Sequence, residues 1–110
     1  MNKPHISEVT KALKMAGYKA VTMDEVCKGR QPLTFYKYEG ALHITAGRVS
    51  FSIESAKDAQ LFGKYHTSAI DNTGAAHEIA TNWPELFFPR LFGFLRGEIS
   101  EDQIIAEICK

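Results

Sequence analysis

The stretch LTFYKYEGALHITAGRVSFSIE, residues 33–54, decides how the rest of the chain is read. Three runs alternate apolar and polar side chains, the period of a half-buried strand. Between them stand Glu39-Gly40 and Gly47-Arg48, each long enough for a two-residue hairpin turn. Those turns set the register: Tyr38 is expected to pair with Ala41, and Ala46 with Val49. One face then carries Leu33, Phe35, Leu42, Ile44, Ala46, Val49, Phe51 and Ile53, with Lys37 as the polar intruder. The other carries Thr34, Tyr36, Tyr38, Ala41, His43, Thr45, Ser50, Ser52 and Glu54. A one-residue slip in either hairpin would mix the two sets, so the pattern itself argues for the register. Glu39 suits a type I′ turn poorly, which leaves a longer first loop open.

Working outward, Ser7 reads as the cap of a helix over residues 8–16, with Val9, Ala12, Leu13 and Ala16 at helical spacing and Gly17 as terminator. Residues 18–23 alternate like a short strand, and residues 24–30 are polar and give no firm signal. Beyond the meander, Ser55 can cap a short helix through residue 62, ended by Gly63. Residues 65–70 and 75–80 then read as a second hairpin around Asp71-Asn72-Thr73-Gly74, whose side chains favour turns. Residues 75–81 also admit a helix, because Ala and Glu suit helices better than strands. Pro84 and Pro89 each fit a first helical turn, so a short turn and then a helix over residues 89–96 are expected, closed by Gly97. Ser100 and Gln103 form a capping-box pattern before Ile104, Ile105 and Ile108. The fold expected is one α+β domain over residues 1–110. Its mostly antiparallel sheet comprises a three-stranded meander at 33–54 and a hairpin at 65–80, with N- and C-terminal helices on one face.

Composition narrows the function. The 110 residues carry 13 basic and 13 acidic side chains, a formal net charge of +0. Such a balance predicts no general pull toward nucleic acid or an anionic membrane. Seven Lys/Arg stand against four Asp/Glu through Gly40, and the last residues lean acidic, which reads as ordinary solvated surface. Cys27 and Cys109 are far apart and form no C-x-x-C pair, so reduced thiols are expected, with no disulfide scaffold and no structural zinc. The start is polar and the most apolar stretch, residues 86–95, is broken by Pro89, Arg90 and Gly93. A cytoplasmic protein with no membrane association is the expectation.

Chemistry in this sequence could rest with histidines, nucleophiles or aromatic clusters. With a four-residue loop in the second hairpin, His77 would oppose Ser68 and His66 would oppose Ile79, bringing both imidazoles to one face. Two ligands make no zinc motif, and Glu54 or Cys27 would have to supply a third. Cys27, His43 and Glu54 can be cast as nucleophile, base and orienting group, but no spacing singles them out, so an enzyme centred on His43 ranks third. No phosphate-binding loop is present, and Asn72 interrupts the one likeness to an Asp-Thr-Gly signature. No cofactor and no metal are therefore assigned.

Two aromatic groups remain. Tyr36, Tyr38 and His43 share the open face of the meander, where they suit protein contact or, as the second reading, stacking of a ligand or single-stranded nucleic acid. That face of the meander holds no Lys or Arg, which disfavours nucleic acid. In the segment 83–95, Phe88, Leu91, Phe92 and Leu95 form one helical stripe and leave Trp83, Phe87 and Phe94 to find another apolar surface, either within the domain between its C-terminal helices and the sheet or on a dimer mate or foreign protein. The leading expectation is a non-enzymatic protein-interaction module that modulates or occludes its partner, an inhibitor or accessory protein of the kind phage and mobile elements carry. Its contact residues would be Trp83, Phe87, Phe94, Tyr36, Tyr38 and His43, and its partner another protein, a second copy of itself, or both.

Overall fold

The computed structural model describes residue 4 and residues 6–28, 33–55 and 63–109 of the chain; the side chains of Cys27 and Ser55 fall outside that description. The helix expected over residues 55–62 lies outside the described residues. The elements run α1 (Ile6–Met15), β1 (Lys19–Ala20), α2 (Met23–Cys27), β2 (Leu33–Tyr38), β3 (Ala41–Ala46), β4 (Val49–Ser55), β5 (Gly63–Ile70), β6 (Ala76–Thr81), α3 (Pro84–Leu95) and α4 (Glu101–Ile108). The six strands form one open sheet in sequence order, antiparallel except where β1 runs parallel to β2. This is an α+β fold.

In the meander the two-residue turns hold, with Tyr38 opposite Ala41 and Ala46 opposite Val49. Both first-turn residues take positive φ, Glu39 at 50° and Gly40 at 80°. The sheet thus imposes on Glu39 a left-handed conformation that costs an ordinary residue about 1–2 kcal/mol. The two-residue connection holds the register in which Phe35, Ile44 and Phe51 share the core face, and a one-residue slip of β2 would turn Phe35 out of it. Strand β3 shows the outcome directly, its residues alternating between half-buried and fully buried.

The second hairpin differs from expectation by one residue. Its loop has five residues, not four, so Ile70 pairs with Ala76, His66 with Ala80 and Ala69 with His77. The cause is Asp71. Its carboxylate accepts the backbone N–H of Thr73 at 2.8 Å and of Ala75 at 3.1 Å, while its own N–H donates to the Ala75 carbonyl at 3.0 Å. Ala75 is consumed in closing the loop, and the strand begins one position later. His77 therefore lies on the face opposite His66, and residues 76–81 are strand rather than helix.

Near the N-terminus α1 begins two residues before the expected start, so Ser7 sits within its first turn, where its carbonyl accepts the Thr10 hydroxyl at 3.1 Å. Ile6 packs against the core, which repays the added turn. The strand expected over residues 18–23 is only the two residues of β1, because Thr22 and Glu25 form a capping box that opens α2. At the other end the Ser100–Gln103 capping box opens α4, with Ser100 Oγ accepting the Gln103 N–H at 3.1 Å.

Helix α3 is continuous from Pro84, with Pro89 inside it, where a break was expected. Phe87 and Phe88 before the proline and Leu91 after it are all buried, and that shared burial holds the helix together across the lost backbone hydrogen bond. Val9 and Leu13 of α1, the α3 aromatics, and Ile104 and Ile108 of α4 join Phe35, Leu42, Ile44, Phe51, Ile53 and Tyr65 of the sheet in one cluster. At its centre the Tyr65 and Phe87 rings stack at 5.0 Å, and Phe87 meets Phe51 and Phe88 edge to face. Two of the expected contact residues are thereby relocated. Phe87 is wholly buried, and Phe94 packs on the core with its ring 5.5 Å from Phe51. The second apolar surface that the helix needed is the chain's own sheet. Trp83, 62% exposed, and Leu86, 59% exposed, remain outside.

Candidate binding face

The core cluster occupies one side of the sheet, and the opposite side presents the polar set of each strand. Across it runs a ladder row of Tyr36, His43, Ser52, His66 and Ala80, each opposite the next. The Tyr36 and His43 rings stack at 4.9 Å and 17°, an offset pair that orients both side chains. Tyr38 stands at the end of the same face, 47% exposed.

Beside the stack lies a shallow cavity of about 380 Å³ lined by His43, Ser50, Ser52, Glu54, His66, Ser68 and Glu78, with Phe51 beneath. The His66 side chain is more enclosed than either carboxylate beside it. Its Nδ1 bonds the Glu78 carboxylate, and its Nε2 lies 3.4 Å from Glu54 Oε2 without forming a full hydrogen bond. Glu54 comes from β4 and Glu78 from β6, so one imidazole joins three adjacent strands. The register places this arrangement: Ser68 opposes Glu78, and Ser52 opposes His66.

Two lysines stand toward the ends of this face. Lys19 Nζ lies 4.0 Å from Glu25 Oε2, and Lys64 sits opposite Glu54 in the ladder. The cavity between them is lined by two carboxylates, Glu54 and Glu78, and by no Lys or Arg.

His66 and His77 are not brought together. His77 Nε2 instead bonds Asp71 Oδ2 at 2.7 Å on the far side of the sheet. The Thr73 hydroxyl first, and then His77, hold the Asp71 carboxyl well below the usual carboxylate range. Among the described residues no group of three or more His, Cys, Asp and Glu side chains is placed to hold a metal ion. His43 and Glu54 line one cavity, while the Cys27 side chain proposed to join them lies outside the described residues. The Glu54–His66–Glu78 arrangement escaped the sequence reading because it depends on the five-residue loop. The signal that could have found it is Asp71 two residues before Thr73, the spacing at which an aspartate closes its own turn.

No helix among the described residues is long and apolar enough to cross a membrane. No family model, no curated protein and no solved structure matches the chain.

Proposed function

We propose that the chain is a protein-binding module that modulates or occludes its partner by receiving a cationic side chain, an arginine above all, on the open face of the sheet. The observation that carries this reading is the cavity in which His43, stacked on Tyr36, stands with the Glu54 and Glu78 carboxylates. A guanidinium stacks on an aromatic face and donates in a planar fork to carboxylates, so these two elements side by side match its chemistry. Serine hydroxyls from Ser50, Ser52 and Ser68 line the floor and supply further acceptors. Tyr38 extends the aromatic surface beyond the cavity, where its ring suits the rim of a protein contact.

The same features argue against a nucleic-acid sheet. Stacking rings are present, but a strand binder also needs cations along its backbone track, and here carboxylates occupy that place.

A titration followed by nuclear magnetic resonance tests the reading. A short arginine-rich peptide is expected to move the resonances of Tyr36, His43 and Glu78, and the Glu54→Gln, Glu78→Gln double variant is expected to abolish the response while its spectrum stays folded. Unmoved resonances with the peptide refute the proposal, and shifts at Tyr36 and Tyr38 produced instead by a single-stranded oligonucleotide would establish the nucleic-acid alternative.

A further inference from the structure

The β6 edge of the sheet offers backbone groups rather than the side chains of the open face. Among the described residues no strand pairs beyond β6. Which of its backbone groups are free follows from two hydrogen bonds. The Asp71 N–H donates to the Ala75 carbonyl, and the Ile70 N–H donates to the Arg48 carbonyl. Antiparallel partners alternate between bonded and non-bonded pairs. The first bond therefore makes Ala69–His77, Thr67–Ile79 and Tyr65–Thr81 the bonded pairs of β5 with β6. The second turns Ile70, Ser68 and His66 toward β4, which requires the same assignment. The N–H and C=O groups of Ala76, Glu78 and Ala80 thus point away from the molecule. Exposed strand edges of this kind recruit another strand.

We propose that the occupant is a second copy of this chain, paired antiparallel along β6 about a two-fold axis at Ile79. A two-fold interface must be complementary to itself, and an antiparallel pair keeps opposed residues on one face. The axis at Ile79 sets Ile79 against the partner's Ile79, and Glu78 against the partner's Ala80, so outward amides meet outward carbonyls and no like charges oppose. An axis at Glu78 would instead bring two carboxylates face to face. Ile79 is 40% exposed on the helix side of the sheet, and Trp83 and Leu86, at the start of α3 just beyond the strand, are the most exposed large apolar residues nearby. Pairing covers Ile79 and joins the two sheets into one.

Amide hydrogen exchange, resolved by residue and run on the full chain at about 1 mM and again at about 1 µM, tests this without a variant. The N–H groups of Glu78 and Ala80 are expected to be protected when concentrated and to exchange at least tenfold faster when dilute, while those of His77 and Ile79, bonded to β5, stay protected in both. Light scattering is expected to give twice the 12.3 kDa chain mass at high concentration. It should return to the single-chain mass in Ala80→Pro, whose lost N–H faces outward and leaves the β5 ladder whole. A mass of 12.3 kDa throughout, or a dimer in which the Glu78 and Ala80 amides exchange equally fast at both concentrations, overturns the proposal.

Discussion

Tyr65→Phe should make this protein more stable, although Tyr65 is among its most deeply buried residues. Its side chain is 1% exposed, its ring stacks on Phe87 at 5.0 Å and meets Phe88 edge to face at 5.2 Å, and its hydroxyl has no hydrogen-bond partner among the described residues. The ring contacts survive the change to phenylalanine. What is removed is a polar group that left water and found nothing in exchange, a penalty of about 1–3 kcal/mol. Allowing for imperfect relaxation around the missing oxygen, the gain is about 1 kcal/mol, which for a domain of this size raises Tm by about 4 °C. Urea unfolding followed by circular dichroism measures it, since a higher midpoint at unchanged slope reports stability alone. Tyr65→Leu is the contrast: it also deletes the hydroxyl but forfeits the ring pairs, each worth about 0.5–1.5 kcal/mol, and should be destabilised. Burial first, and the Glu85 carboxylate second, push the Tyr65 hydroxyl above its ordinary pKa. The folded chain therefore holds this proton where the unfolded chain has begun to lose it, and stability should fall as pH rises past about 10. The phenylalanine variant should fall less. A Tyr65→Phe protein less stable by about 1 kcal/mol at neutral pH, with the slope unchanged, would refute the reasoning and show that the hydroxyl has a partner.

Three further outcomes follow from the same structure. Burial, then Glu101, pushes the Tyr18 hydroxyl up to about 12, so stability should decline between the unfolded value near 10 and about 12; Tyr18→Phe should flatten that limb in urea midpoints taken from pH 8 to the highest workable pH. The lowered Asp71 carboxyl stabilises the fold above the unfolded carboxylate range and loses that contribution as pH falls below about 4. Asp71→Asn should weaken this acid dependence in midpoints collected on the same buffers. Ser100→Ala removes the hydroxyl that accepts the Gln103 N–H and should cost about 1 kcal/mol by thermal or urea unfolding.

The meander was legible because its connections leave no slack. A two-residue turn admits one register, and the alternation of Phe35, Ile44 and Phe51 with Tyr36, His43 and Ser52 admits the same one, so two independent constraints agree. The stacked Tyr36–His43 pair follows from that register alone. Elsewhere a local signal met a stronger competitor. Residues 21–23 suit a strand by composition, but the reciprocal bonds of Thr22 and Glu25 open a helix there. Pro89 ordinarily ends a helix, yet the burial of Phe87, Phe88 and Leu91 along one side of α3 outweighs one lost hydrogen bond. Helical phase counted from Phe88 leaves Phe87 off the stripe and open to either the core or a partner; a sheet with Phe51 and Tyr65 on the same side receives both.

The largest consequence came from the smallest difference. Had the second hairpin closed with four residues, Glu78 would oppose Thr67 and turn its carboxylate toward the core, where an unpaired charge is costly. His77 would take its place on the open face. Five residues reverse this, because the Asp71 carboxylate holds the Ala75 N–H and delays the strand by one position. Glu78 then lies beside His66, and His77 turns back to bond the aspartate that moved it. The second carboxylate of the cavity, on which the proposed match to a cation rather than to a phosphate rests, is set by turn chemistry on the far rim of the hairpin. A candidate face built in this way has no contiguous motif: Tyr36, His43, Glu54, His66 and Glu78 come from five different strands, and only the ladder registers bring them side by side.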